Sequence, residues 1–226
     1  MKEKIVCIAA AVCLLAGALS GCGAIKAAEA QPSHFPIPST VPQSPAVGTD
    51  VPQDMKENVN TAWLPSGVKQ QKSETKKDPD VEKAIKDYYK IPDEELAKTR
   101  YFYNYVDLND DGSKEIFAVV SGPYTSGTAG DSALWLLPGA NMSVMQAFTG
   151  VRAPVIVSDE KENGVHKLVL QRLGEAADET VELTCTEGEY SDIQSREPLE
   201  SIDKITGTAI ICDDMTDSAA GIYLAK

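Results

Sequence analysis

The chain has few basic side chains, two histidines and no long apolar run beyond its N-terminal region. It carries 21 Lys and Arg against 34 Asp and Glu, which gives a formal net charge of -13 at pH 7. Proteins bind phosphate backbones through clustered Lys and Arg, so we expect no nucleic-acid partner and no polybasic attachment to anionic lipid. No later segment approaches the roughly 18 apolar residues of a transmembrane helix.

The first 21 residues have the layout of a secretion signal. Lys2 and Lys4 precede an almost wholly apolar run from Ile5 to Ala18, which is too short for a confident membrane span. The next four residues, Leu19-Ser20-Gly21-Cys22, resemble the lipobox of bacterial lipoproteins. The resemblance implies that residues 1–21 are removed and that lipid, such as palmitate, is added to Cys22. It places the protein outside the cytoplasm, anchored to the cell membrane or outer envelope.

The anchor has a simple physical basis and a simple alternative. Each buried methylene contributes about 0.8 kcal/mol, so two or three acyl chains on one Cys hold a protein stably at a membrane. The alternative is an ordinary signal peptide cleaved near Ala24 or Ala28, or a short buried helix.

A proline-rich segment follows the lipobox. Eight of the 13 prolines lie between residues 23 and 79, with Ser, Thr, Gln and Lys between them. Such a composition buries too little apolar surface to offset its ordering entropy, and proline favours extended backbone. We expect a disordered tether over residues 22–78 and a secreted domain over residues 79–226, with Trp63-Leu64 as a possible contact between them.

The secreted domain begins with helical spacing and continues with strand alternation. Val81, Ala84, Ile85 and Tyr88 recur at helical spacing, and Pro92 starts a second, short helix. Seven apolar or alternating segments separated by turn residues then follow, from Tyr101 to Ile211. The pattern predicts an α+β domain in which one or two N-terminal helices precede a mainly antiparallel β-meander.

One loop between two predicted strands has the residue types of a calcium site. Oxygen-bearing side chains alternate along it and a glycine stands at the sixth position, an arrangement that lets hard donors converge on Ca²⁺. The candidate ligands are Asp107, Asn109, Asp111, Ser113 and Glu115. The pattern resembles the DxNxDG loop of EF-hands, dockerins and FG-GAP repeats. Ala118 stands where an EF-hand has Glu, so the FG-GAP type, which joins two strands, is closer, although the motif occurs once.

The alternative for this loop is a hairpin turn, because Asp111-Gly112 is itself a turn dipeptide. A bare turn needs only that pair, so we favour a structural Ca²⁺ site of about 10⁻⁴ to 10⁻³ M affinity.

A Gly-, Ser- and Thr-rich loop from Ser121 to Ser132 is a second candidate site. Its hydroxyls and backbone N–H groups suit an anion or a sugar. The possible ligand-binding residues are Tyr124, Ser126, Thr128, Asp131 and Ser132. Gly130-Asp131-Ser132 also resembles the nucleophile block of GDS-type lipases, but His166 lacks the Asp-x-x-His arrangement of that family. A flexible surface loop is the alternative.

Two cysteines remain for the secreted domain. Cys185 and Cys212 can pair outside the cytoplasm, or each can be buried separately in its apolar strand.

Two functions are consistent with these features. The first is a non-catalytic, Ca²⁺-stabilised binding or interaction module of the envelope, with a protein or glycan partner. The second is a secreted enzyme or enzyme inhibitor that uses the loop from Ser121 to Ser132. No convincing nucleophile and base occur together in the sequence, so we favour the first.

Overall fold

A computed structural model describes residues 59–226. The signal segment 1–21, the lipidation residue Cys22 and residues 22–58 of the expected tether lie outside the described residues. Within the described range, no helix is long and apolar enough to cross a membrane.

Strands dominate the described part of the chain. Its two α-helices are α1 (Pro79–Tyr89) and α2 (Asp93–Leu96), with short 3-10 turns at Val59–Thr61 and Ile193–Ser195. The strands are β1 (Val68–Gln70), β2 (Arg100–Val106), β3 (Glu115–Ser121), β4 (Asp131–Leu137), β5 (Ser143–Glu162), β6 (Val165–Leu173), β7 (Asp178–Leu183), β8 (Cys185–Thr186), β9 (Glu189–Tyr190), β10 (Gly207–Ile210) and β11 (Ile222–Tyr223).

The predicted α+β class with an antiparallel meander is wrong. The fold is mostly β, and its main sheet is mixed and curled, because β1 pairs parallel with β10. The strand order along the sheet is β1-β10-β5-β4-β3-β2-β11, with β6 and β7 branching from β5. Strand β10 therefore lies between β1 and β5, and β11 lies beside β2. In a meander, each strand would instead pair with its neighbours in the chain. Local alternation identifies a strand, but its partner is decided by long-range packing.

The 20-residue β5 joins the two halves of the sheet. Its first part pairs with β4, while its second part pairs with β6 on one side and β10 on the other. The two halves enclose the main core, which includes Phe102, Phe117 and Phe148 from one half and Leu168, Leu170, Val181 and Ile210 from the other.

The outer face of each half is covered by a different segment. On the β2-β3-β4 half, α1 contributes Val81 and Ile85, which pack with Tyr101 and Ile116. Alternation along β3 sends Ile116 to this helix side and Phe117 to the main core. α1 begins where Asp78 accepts hydrogen bonds from the amides of the first turn.

Residues 59–78, expected to belong to the tether, cover the other half of the sheet. Val68 of β1 packs with Ile156, and Trp63 and Leu64 pack against the same cluster. Packed structure thus begins before residue 79. The backbone of this segment is held as well, because the Gln71 amide donates to the Ala209 carbonyl at 2.8 Å.

Candidate functional site

The acidic loop connects β2 to β3 and is closed by hydrogen bonds from its own backbone. Asp107 accepts from the amides of Asp111 and Gly112 at 3.2 and 3.0 Å. Asn109 Oδ1 also accepts from the Asp111 amide, at 3.0 Å, and Asp111 accepts from the Ser113 amide at 2.7 Å. Gly112 has a φ of 86°, a conformation that the turn requires and that glycine adopts without strain. Side-chain oxygens of Asp107, Asn109 and Asp111 therefore face the backbone of their own loop.

Glu115 differs from the other acids of this loop because it is buried, at 5% exposure. Its Oε2 accepts a hydrogen bond from the Leu108 amide at 3.0 Å, which ties the start of β3 to the end of β2. Asp111 remains exposed, and hydrogen bonds from the Ser113 amide and the Asn109 side chain lower its pKa. Both interactions stabilise the closed turn.

The residues of the acidic loop have the donor chemistry of a calcium site, but they do not form a preassembled one. Within residues 59–226, no group of three or more His, Cys, Asp and Glu side chains is placed to hold a metal ion. Asn109 Nδ2 donates to Asp111 Oδ2 at 3.0 Å, so both carboxylate oxygens of Asp111, like both of Asp107, already accept hydrogen bonds inside the loop. Each of these carboxylate oxygens keeps a second lone pair, with which it can also contact a cation.

Asp110, which is not one of the candidate metal ligands, attaches this loop to the neighbouring β5–β6 hairpin. Its carboxylate forms an ion pair with Lys161 and lies 3.0 Å from His166 Nε2. Hydrogen bonds from Lys161, which has the larger effect, and from His166 lower the pKa of Asp110. The His166 amide also donates to the Leu108 carbonyl at 2.7 Å.

Three hairpin turns, one of which is the acidic loop, meet and border a cleft of about 510 Å³, which we call the tip cleft. The first is the acidic loop itself. The second is the β5–β6 turn at Asn163-Gly164, and the third is the β8–β9 turn at Glu187-Gly188. Both have positive φ at two successive residues, as tight hairpins do. Asn163 Nδ2 donates to the Cys185 carbonyl at 2.9 Å and so holds the second turn against the third.

The lining of the tip cleft includes an acidic and amide set, which we call the edge, and an apolar set, which we call the wall. The edge consists of Asn109, Asp111, Glu115, Asn163 and Glu187. The wall consists of Trp135, Leu137, Met145, Val165 and Cys185. Leu137 and Met145 are 40% and 42% exposed, although both are apolar. Exposed apolar side chains beside converging polar groups are typical of a small-molecule binding site.

The Gly-, Ser- and Thr-rich loop lies beside a separate cavity of about 400 Å³, and only part of the predicted set faces it. Thr128 and Asp131 line this cavity together with Arg152 and Asp178. Arg152 forms an ion pair with Asp178 and donates to the Ala129 carbonyl at 3.2 Å. The guanidinium thus contributes to holding the loop in place.

The other predicted residues of that loop have structural contacts or point elsewhere. Ser126 bridges the Gly122 amide and the Asp131 carboxylate. Ser132 is buried and donates to the Thr125 carbonyl at 2.7 Å, and Tyr124 is half exposed. His166, the histidine of the described region, contacts Asp110 and the Ser158 carbonyl. Among the described residues, no hydrogen bond joins His166 to Ser132.

The two cysteines are buried in separate hydrophobic clusters. Cys185 belongs to the main core and lines the tip cleft, whereas Cys212 packs with Val68 and Ile156. Burial raises the pKa of both thiols.

Sequence reasoning missed most of the tip cleft. Asn163-Gly164 and Glu187-Gly188 are recognisable as turn dipeptides, but nothing local indicates that both turns meet the acidic loop.

Comparison of the chain with protein family models, curated proteins and solved structures finds no match.

Proposed function

We propose that this protein is a lipid-anchored binding module of the bacterial cell envelope. Lipid on Cys22 attaches it to the membrane, the proline-rich segment separates the β-domain from the bilayer, and the tip cleft receives the ligand. The tip cleft is the observation that supports a binding role most directly. Its volume lies within the roughly 300 to 1,000 Å³ of small-ligand sites.

The chemistry of the tip cleft favours binding over catalysis. Its nucleophilic side chain, Cys185, is 2% exposed, and burial raises its pKa, which disfavours the reactive thiolate. His166 lies nearby in the fold, but its ring nitrogens face Asp110 and the Ser158 carbonyl. Carboxylates and amides beside an apolar wall suit recognition of a ligand.

Ca²⁺ at the acidic loop is a structural part of this proposal. Asp107, Asn109, Asp111, Ser113 and Glu115 would hold the ion, and hard oxygen donors of this kind suit Ca²⁺. The ion would neutralise neighbouring carboxylates and pin the β2–β3 hairpin, which forms one side of the tip cleft.

Metabolic labelling tests the anchor. The full-length chain is expressed in a bacterial host with radiolabelled palmitate, beside Cys22→Ser and the matched control Cys13→Ser, which lies in the signal segment. We expect label and membrane fractionation for the wild type and Cys13→Ser, and loss of both for Cys22→Ser. An unlabelled wild-type chain in the soluble fraction would overturn the lipid anchor.

A further inference from the structure

We propose that the tip cleft binds a small ligand that joins an ammonium group to an apolar chain and a hydrogen-bond acceptor. The N-terminus of a peptide with an apolar first residue has this chemistry. The inference rests on the proposed binding role and names the class of ligand for the same cleft.

The charge of the tip cleft selects a cation. Asp111, Glu115 and Glu187 line it, and its lining includes no Lys or Arg among the described residues. The nearby cation Lys161 is paired with Asp110, which lies outside the lining. Glu187 is not among the candidate Ca²⁺ ligands, so an ammonium group beside it meets a carboxylate that the ion leaves free.

The wall of the tip cleft selects an apolar chain of modest size. Leu137 and Met145, which line the tip cleft with Val165, are 40% and 42% exposed. A ligand chain covering them removes apolar surface from water, which stabilises the complex by about 25 cal/mol per Å². Met145 can adjust to different chains because its thioether side chain is flexible.

The indole N–H of Trp135 has no hydrogen-bond acceptor among the described residues. Trp135 is 7% exposed, and its Nε1 is buried without a hydrogen-bond partner among the described residues. An unpaired buried donor is costly, so a ligand that supplies a carbonyl oxygen gains a hydrogen bond that the free protein lacks. Trp135 is one of the residues that line the tip cleft.

Fluorescence of Trp135 provides a direct test with leucinamide as the probe. The chain has two tryptophans, so Trp63→Phe leaves Trp135 as the one indole reporter in the protein. We expect saturable change of its emission, with a Kd of about 10⁻³ M or lower for so small a ligand. Calorimetric titration of the wild-type chain should give the same affinity, which guards against an effect of Trp63→Phe on folding.

Three related probes each remove one feature of leucinamide. N-acetyl-leucinamide lacks the charge, isopentylamine lacks the acceptor, and glycinamide lacks the apolar chain. We expect each to bind about 5-fold more weakly or worse. Equal binding of leucinamide and N-acetyl-leucinamide would overturn the cation requirement and with it the proposal.

Paired Glu→Gln variants locate the site. Glu187→Gln should weaken leucinamide binding about 2- to 5-fold, as expected for one exposed charge, whereas Glu200→Gln, an exposed Glu outside the cleft, should change nothing. Equal affinities for the two variants, or no saturation in the wild type, would sink this inference. Palmitate labelling of Cys22 is independent of these titrations, so the anchor and the ligand class fail separately.

Discussion

His166 Nε2 lies 3.0 Å from Asp110 Oδ1, although the two residues are 56 positions apart in the chain. The same carboxylate also pairs with Lys161. Asp110 has a φ of 57°, in the left-handed region, and its side chain contacts Lys161 of β5 and His166 of β6. The contact fixes the acidic loop against the β5–β6 hairpin, and these two turns form two sides of the tip cleft.

Asp110→Asn should lower stability slightly and should do so mainly at low salt. Asn tolerates the left-handed backbone, so the substitution removes the charge and leaves the turn intact. Exposed ion pairs are screened by salt, and the difference from wild type should therefore shrink as salt increases. Urea unfolding at two salt concentrations measures this, with Asp159→Asn as the control. An effect that is independent of salt would show that the charge is not the cause.

Ca²⁺ should raise the melting temperature if the acidic loop binds it. A site with a Kd of about 10⁻⁴ M gains about 2 kcal/mol at several millimolar Ca²⁺, which is a shift of several degrees. Melting is measured with excess EDTA and then with Ca²⁺, in the wild type and in Asp107→Ala. We expect the shift in the wild type alone. An equal shift in both proteins would place the ion elsewhere, and no shift in either would leave the loop as a hairpin turn.

Glu82 should contribute stability that depends on pH. It is 4% exposed, pairs with Lys77 and Lys86, and accepts a hydrogen bond from the Ala225 amide at 3.0 Å. Burial alone would raise the pKa of Glu82, but these hydrogen bonds together lower it below 4.5. The stabilisation is therefore present above about pH 4.5 and is lost as the pH falls toward the lowered value.

Glu82→Gln should accordingly lower the free energy of unfolding by about 1–3 kcal/mol near neutral pH. The difference from wild type should narrow below pH 4.5. Denaturant unfolding across this pH range measures it, and Glu94→Gln, an exposed glutamate on α2, serves as the control. A constant difference at every pH would assign the effect to packing rather than to charge.

Asn104 should be among the polar residues most sensitive to substitution. It is fully buried on β2, donates to the Lys72 carbonyl at 3.0 Å, and accepts from the Ile211 amide at 3.0 Å. Asn104→Ala leaves both backbone groups without a partner and should cost about 2–3 kcal/mol. Chemical unfolding beside the exposed-site control Asn141→Ala measures the loss. A cost no larger than that of the control would mean that water replaces both hydrogen bonds.

Reductant should leave the stability of the domain unchanged, because Cys185 and Cys212 are buried in different hydrophobic clusters. A disulfide that closed the loop between Cys185 and Cys212 would contribute roughly 3 to 4 kcal/mol to the free energy of unfolding on the chain-entropy model. Unfolding with and without dithiothreitol distinguishes the two states. A marked loss of stability in reductant would demonstrate the pairing.

Local sequence patterns located the elements of the domain more successfully than they ordered them. The helical spacing from Val81 to Tyr88 lies within α1, and the alternation from Tyr101 to Val106 lies within β2. The parallel strand β1 escaped notice because it has three residues in a proline-rich segment. Its packing depends on Ile156 and Ala209, which no local pattern relates to Val68.

For the candidate site too, the sequence determined some features and the tertiary structure determined others. The order of acids, amide and glycine from Asp107 to Glu115 determined a tight, hydrogen-bonded turn, because each side chain reaches amides only a few residues away. Composition alone determined the net acidity, and the lipobox pattern remains a prediction for Cys22. The tertiary structure alone decided that this turn meets Asn163 and Glu187 in one cleft beside Trp135. Such convergence follows from the path of β5 through both halves of the sheet, and long-range packing rather than local propensity determines that path.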